Sequence, residues 1–333
     1  MSLVRYIARR LGQSVFTLLG VVTLTFLLVN AAPGDPIRIF IGPSADAATV
    51  EAIRTRFGLD QPLHVRYFKY IINVLQGDLG QSINYRVPVT QKIFERLPAT
   101  LLLVASSFTF AVLTAVPIGV LSAKQRNRVS DHVFRILGLV GVSTPSFWIG
   151  LLFIILFTYH LGLLPATGLI MPWAMPGSVD NATTRIDVLY QSAIHLIMPT
   201  LTLGTLQMAA IMRIERSSML EVLNQDYVTL ARAFGVKEWT MVRKHAFRNA
   251  QLPVLTVVGL QLTTALGGSV LTETVFSISG MGTLIITGVN ARDYPLILGT
   301  TLFYATMFVV GVLITDLLYA YLDPRISYGG GDN

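Results

Sequence analysis

Six stretches of this chain run for more than 20 residues without Asp, Glu, Lys or Arg: 11–34, 97–123, 136–179, 188–212, 249–272 and 294–315. A helix that crosses a bilayer's hydrocarbon core needs about 20 apolar residues. One such stretch can be a buried helix of a soluble core; six in 333 residues cannot. Only 13% of the residues are charged, where a soluble domain carries roughly 25%. The expectation is an all-α integral membrane protein with six transmembrane helices. The 44-residue stretch is read as one span, roughly 136–159, because Gly162, Pro165, Gly168, Pro172, Pro176 and Gly177 interrupt the rest. A further 18-residue stretch, 274–291, is weakly apolar and carries Ser277, Ser279, Gly280, Gly282 and Gly288. It is read as a re-entrant or interfacial segment.

Orientation follows from Lys and Arg in the short segments flanking the spans. One side collects Arg5, Arg9, Arg10, Lys124, Arg126, Arg128, Arg135, Arg325 and the seven bases of 213–248; the short loops opposite hold Arg185 and Arg292. Both termini are therefore expected in the cytoplasm and 35–96 outside. A seventh span at 274–291 would move the tail out, and that alternative stays open. The net charge of +7 is then an orientation signal and implies no nucleic acid.

The first span has an Arg9-Arg10 start and a loose cleavage pattern at Val29-Asn30-Ala31. Its uncharged stretch is too long for a signal peptide, whose apolar region runs 7–15 residues. It is read as an uncleaved helix ended by Pro33-Gly34-Asp35-Pro36. The organisation expected is 1–34, cytoplasmic end and first helix; 35–96, an external segment; 97–322, a core of five helices with a cytoplasmic loop at 213–250; and 323–333, a tail. Ala45–Phe57 and Pro62–Leu75 read as short helices, the first ended by Gly58.

Catalytic chemistry is hard to find. There is no cysteine and no Gly-Lys dipeptide, so thiolate chemistry and a phosphate-binding P-loop are excluded. The five histidines are scattered and read as interfacial or helix-end residues. Asn181-Ala182-Thr183 marks no more than a loop. Asp316 lies in the last apolar stretch, near its cytoplasmic end, and is weighed both as a functional carboxylate and as a structural one. Glu273, at the outer end of the fifth span, reads as an interface charge. Gly267-Gly268-Ser269 is a small-residue patch of the kind that lets helices approach in lipid, and Pro117, Pro145 and Pro199 interrupt spans.

Segment 226–253 is too polar to span. Asp226 can cap a short helix; Tyr227, Ala231 and Phe234 share one face; Gly235 can end the helix in a left-handed conformation. A second helix follows with Trp239, Val242 and Ala246 on one side. The pattern is a helix–turn–helix projecting between two spans, or a basic loop that only sets orientation.

This segment resembles the coupling ("EAA") loop of bacterial ABC importer permeases, with Gly235 and His245 at that loop's ten-residue spacing. The peptide-importer branch is matched by Asp226, Tyr227, Val228, Ala231, Arg232, Ala233 and Gly235. It is also matched by Pro33–Pro36, Gly77-Asp78-Leu79-Gly80, Pro145-Ser146-Phe147-Trp148, Arg216-Ser217-Ser218-Met219, Arg292-Asp293-Tyr294-Pro295 and Leu322-Asp323-Pro324-Arg325. Three positions depart from the general loop: Thr229-Leu230-Ala231 stands for Glu-Ala-Ala, Phe234 for a frequent lysine and Arg248 for a proline.

The resemblance implies the type I ABC importer permease (MetI-like) fold. It further implies a B-type membrane subunit of the bacterial inner membrane that passes dipeptides, oligopeptides, glutathione or nickel complexes. The partners it implies are a second permease subunit, two P-loop ATPases that hold the ATP and magnesium, and a periplasmic or lipid-anchored solute-binding protein. No cofactor is expected in this chain. The ATPase-coupling residues so implied are Asp226, Tyr227, Ala231, Arg232, Ala233, Gly235, Val236, His245, Arg248 and Asn249. Gly267, Gly268, Ser269 and Glu273 are candidates for the translocation path. A secondary transporter would need ionisable groups at mid-membrane, and a membrane enzyme a catalytic constellation; the spans offer neither.

Overall fold

The computed structural model describes residues 3–31, 46–56 and 58–322, without the side chains at 3–8, 56, 263, 268 and 316–322. Pro33–Pro36, the motif at 323–325 and the side chain of Asp316 therefore lie outside the described residues. In chain order the helices are α1 (Leu3–Ala31), α2 (Ala47–Arg56), α3 (Leu63–Leu75), α4 (Val89–Lys124), α5 (Val129–Ser143), α6 (Ser146–Phe153), α7 (Arg185–Leu223), α8 (Asp226–Ala233), α9 (Phe247–Val275), α10 (Met281–Ala291) and α11 (Tyr294–Leu322). Ile154–His160 and Met241–Ala246 are π-helical, and Glu238–Thr240 is a single α-turn leading into the second.

Among the described residues, five helices are long and apolar enough to cross a membrane: Arg9–Ala31, Val89–Lys124, Arg185–Leu223, Glu238–Gly267 and Tyr294–Thr315. The sixth expected span is not straight. Val129–Ser143 and Ser146–His160 meet at an angle of 105°. The cause is local: the ring of Pro145 excludes the helical region for the preceding residue, and Thr144 sits extended at φ −93°, ψ 129°. Pro117 and Pro199, also expected to interrupt spans, lie inside continuous α4 and α7. Segment 274–291 contains α10, whose 11 residues rise roughly 16 Å, about half of a hydrocarbon core.

The described residues divide into two compact units, those within 1–98 with 279–309, and those within 99–278 with 310–322. In the first, Val89, Ile93, Met281, Leu284 and Leu296 form the core. Phe26 of α1 meets the ring of Tyr67 edge-on at 5.3 Å, and Thr23 shares a 2.7 Å hydrogen bond with the Tyr67 hydroxyl, which seats α3 on α1. Asp293 caps α11: its Oδ1 accepts from the Leu296 N–H at 3.1 Å. Its Oδ2 accepts from Ser82 Oγ at 2.5 Å and the Asn84 N–H at 2.9 Å.

The second unit is built around α7. Thr184 and Asp187 form a capping box at its start, each side chain bonding the other's backbone N–H. Its 39 residues rise about 58 Å, well beyond a hydrocarbon core. Helices in lipid are drawn together by close packing, because hydrocarbon is as apolar as the side chains. At Gly204 a side chain would place its first carbon 2.7 Å from the Phe110 ring and 2.9 Å from the Ser107 carbonyl. The expected small-residue patch behaves differently: Gly267 is exposed, with nothing within 4 Å of where a Cβ would lie.

Candidate functional site

Segment 226–250 folds as an ordered helix–turn–helix. It rests on a small core of its own, in which Val228, Met241, Val242, Ala246 and Ala250 pack with Met219 and Ala123. Helix α8 ends in a Schellman turn: the Gly235 N–H donates to the Arg232 carbonyl at 3.0 Å and the Val236 N–H to the Ala231 carbonyl at 3.2 Å. Gly235 has φ +76°, a conformation that a side chain strains, so the expected left-handed end is present.

Two expectations are corrected. Asp226 does not cap α8; it is the first helical residue, and the cap position is Gln225, whose side chain makes no cap bond. Trp239 does not share a face with Val242 and Ala246. It is 67% exposed while they are buried. Trp239 lies in the α-turn before the π-helical Met241–Ala246, whose wider turn breaks the 3.6-residue spacing on which the shared face was read.

The predicted face of α8 is present but points outward. Tyr227 and Phe234 are exposed, Leu230 joins them, and the residue beneath is Val228. Ala231 and Val236 are half-buried; Asp226, Arg232, Ala233, His245, Arg248 and Asn249 are exposed. Three of these converge across the turn: Asn249 Nδ2 donates to the Tyr227 hydroxyl at 2.9 Å and to the His245 carbonyl at 3.0 Å. Arg232 reaches Glu238 at 3.3 Å, an exposed pair of small energetic weight. The outward face of Tyr227, Leu230 and Phe234 on α8 is the feature able to bind, while the exposed Trp239 lines a separate groove with Val116, Pro117 and Leu121 of α4.

Behind this loop lies a polar network that sequence reasoning missed. Asp131, fully buried, accepts from Arg216 Nε at 2.7 Å and Nη2 at 2.9 Å, from Ser122 Oγ at 2.6 Å and from the Asn127 N–H at 3.0 Å. Glu215, also buried, takes both its contacts from Gln251 Nε2 at 3.0 and 3.1 Å, linking α7 to the first turns of α9. The available signal was Asp131 as the one acid among Lys124, Arg126, Arg128 and Arg135.

Of the path candidates, Glu273 overturns its reading as an interface charge: it is fully buried and accepts from Thr100 Oγ1 at 2.6 Å. Ser269 is buried with its hydroxyl on the Leu266 carbonyl, whereas Gly267 faces outward. Gly268 lies outside the described side chains. In the first unit, α3 contributes Arg66, Lys69, Tyr70 and Asn73 to a cavity of about 400 Å3 with a mixed polar and apolar lining. Burial pulls the pKa of Arg66 down and pushes that of Tyr70 up.

Residues 115–328 match the family described as binding-protein-dependent transport system inner membrane component, and residues 3–104 match its N-terminal membrane component. The chain is 41% identical over 326 residues to a probable D,D-dipeptide transport system permease protein of Escherichia coli K12, covering 96% of each. It is 40% identical to an oligopeptide transport system permease protein of Bacillus subtilis 168, over 97% of this chain and 99% of that one. It is 39% identical to the dipeptide transport system permease protein of Escherichia coli K12, over 98% and 99%. A solved methionine ABC transporter, inward facing, superposes with a TM-score of 0.50 at 15% identity over 70% of this chain and 97% of that one, a likeness of fold.

Proposed function

Because the chain belongs to the family of binding-protein-dependent transport system inner membrane components, a family of membrane permease subunits, we propose that it is one of the two permease subunits of an ATP-driven importer of dipeptides or oligopeptides. In this reading a P-loop ATPase docks on 226–250 from the cytoplasm and a second on the partner permease's loop, an external solute-binding protein delivers the peptide, and both termini are cytoplasmic. The substrate class rests on the names of relatives near 40% identity, which include D,D-dipeptide, oligopeptide, dipeptide and glutathione permeases.

One observation carries the docking role. The patch of Tyr227, Leu230 and Phe234 is exposed on an element too polar to enter lipid, and it is held in place from below by the buried Val228, Met241 and Ala246. A loop that only set orientation would need neither the patch nor its foundation. The Asn249–Tyr227–His245 bridge fixes the angle between the two arms. The network of Glu215 with Gln251 then ties the second arm to α7, a physical route from the docked surface to the spans.

Gly235→Leu tests this. The strain at positive φ is about 1–2 kcal/mol, and a side chain there meets open space, so the fold should survive. The new side chain projects from the docking surface instead. The variant should insert normally, lose copurification of the ATPases and lose peptide uptake in cells. Normal copurification together with normal uptake would reject the coupling role.

A further inference from the structure

Arg135 is the last charge before the uncharged stretch 136–179, and Arg213 the first after 188–212. Helices α5 and α7 bring these two membrane boundaries together, where they line a groove of about 640 Å3. Its rim is basic: Arg135, Arg213, Arg216 and His132. Arg216 is committed to Asp131. Arg135 and Arg213 have no ion-pair partner among the described residues, so the rim carries an unbalanced double positive charge. Its floor is apolar: Ile136, Leu139 and Val142, one face of α5, with Met212 beneath. Ile136 and Leu139 are 61% and 68% exposed, a surface suited to hydrocarbon. Gly138 is buried at the same level, against the flexible end of the Met212 side chain.

We propose that this groove is a binding site for one anionic phospholipid. The headgroup phosphate sits between Arg135 and Arg213, and an acyl chain lies along Ile136, Leu139 and Val142. From Arg135 to Val142 the helix rises about 10 Å, within the ~15 Å of hydrocarbon in one leaflet. A cationic rim continuous with an apolar floor matches an amphiphile with a negative head, whereas a free phosphate would leave the floor unused. Basic pockets between helices at the membrane boundary hold anionic headgroups in this manner. The site would pin α5 to α7 beside the Asp131–Arg216 pair.

The test uses the full chain purified in mild detergent, titrated with phosphatidylglycerol or phosphatidylcholine and read by native mass spectrometry. Phosphatidylglycerol should bind as a single tight adduct and phosphatidylcholine far more weakly. Arg135→Gln and Arg213→Gln should each weaken phosphatidylglycerol about fivefold, and the double variant roughly 25-fold. The double lysine variant, which keeps the charge, should retain most of the binding. Leu139→Ser should weaken binding with the rim intact, and unchanged thermal melting of each variant shows that it is folded. Equal binding by the double glutamine variant would overturn the proposal, as would equal affinity for phosphatidylcholine. Full displacement by millimolar inorganic phosphate would mark a free-phosphate site instead. An assembled transporter that holds no phosphatidylglycerol while the lone chain does would assign the groove to a partner subunit.

Discussion

Asp131 and Asp293 are both buried, at 0% and 1% exposure, and both stand where a helix begins. They are satisfied in opposite ways. Asp131 meets a cation: Arg216 grips both its oxygens, joining helices whose partners are 85 residues apart. Asp293 meets neutral donors: a serine hydroxyl and two backbone N–H groups, one of them in its own helix's first turn. The first is a charge pair taken out of water, which is stable only while both partners remain. The second is a backbone knot, whose donors were going to need acceptors in any case. The difference teaches where each kind of tie is used: ion pairing to hold long helices in register, and carboxylate-to-backbone bonding to fix an irregular loop on a helix end.

Three substitutions probe that contrast. The largest effect is expected for Asp131→Ala, which strands the Arg216 guanidinium; breaking a pair of this kind costs about 3–5 kcal/mol. Thermal unfolding of the detergent-solubilised protein should show the largest drop of the three. The exchanged pair Asp131→Arg with Arg216→Asp should recover part of it, since the geometry is bidentate. Next comes Asp293→Ala. It leaves up to three donors without their acceptor, but neutral groups tolerate water, so a loss of about 1–3 kcal/mol is expected. If it melts as low as Asp131→Ala, charge is not the distinguishing factor and the comparison fails. The smallest effect belongs to Ser122→Ala. It removes one of four donors to Asp131 while Arg216 stays in place, and should cost about 1 kcal/mol. A loss as large as that of Asp131→Ala would mean that the serine, not the arginine, holds the carboxylate.

The membrane character was legible because lipid imposes a length rule on uncharged stretches, and five spans among the described residues follow it. Segment 226–250 was legible for a different reason: Gly235 punctuates it, and a Schellman turn needs only local bonds. The positions of Tyr227 and Phe234 on one face follow from helical spacing alone. That this face looks outward does not. Periodicity says which residues share a side and is silent on whether that side meets a core or a partner. Here Val228 was the inward residue, and it acquires that role only against Met219 and Met241, from other helices.

Other features were decided by tertiary structure for equally physical reasons. Pro145 predicted an interruption, and the break at Thr144 is local; only its size, 105°, is not written in the dipeptide. The π-helical register that breaks the face read for Trp239, Val242 and Ala246 is not written in helix propensity. Glu273 read as an interface charge because it ends an apolar stretch; Thr100, 173 residues away, takes it inside. Glu215 likewise depends on Gln251, 36 residues on. A buried carboxylate is tolerable only beside its donor, and the distance between them along the chain carries no trace of the meeting. Sequence by itself determined where this chain can enter lipid and where it must turn, since both are local matters of solvation and backbone sterics. The pairing of its buried charges was settled only when the helices came together, because a partner's value to a charge depends on contact in space.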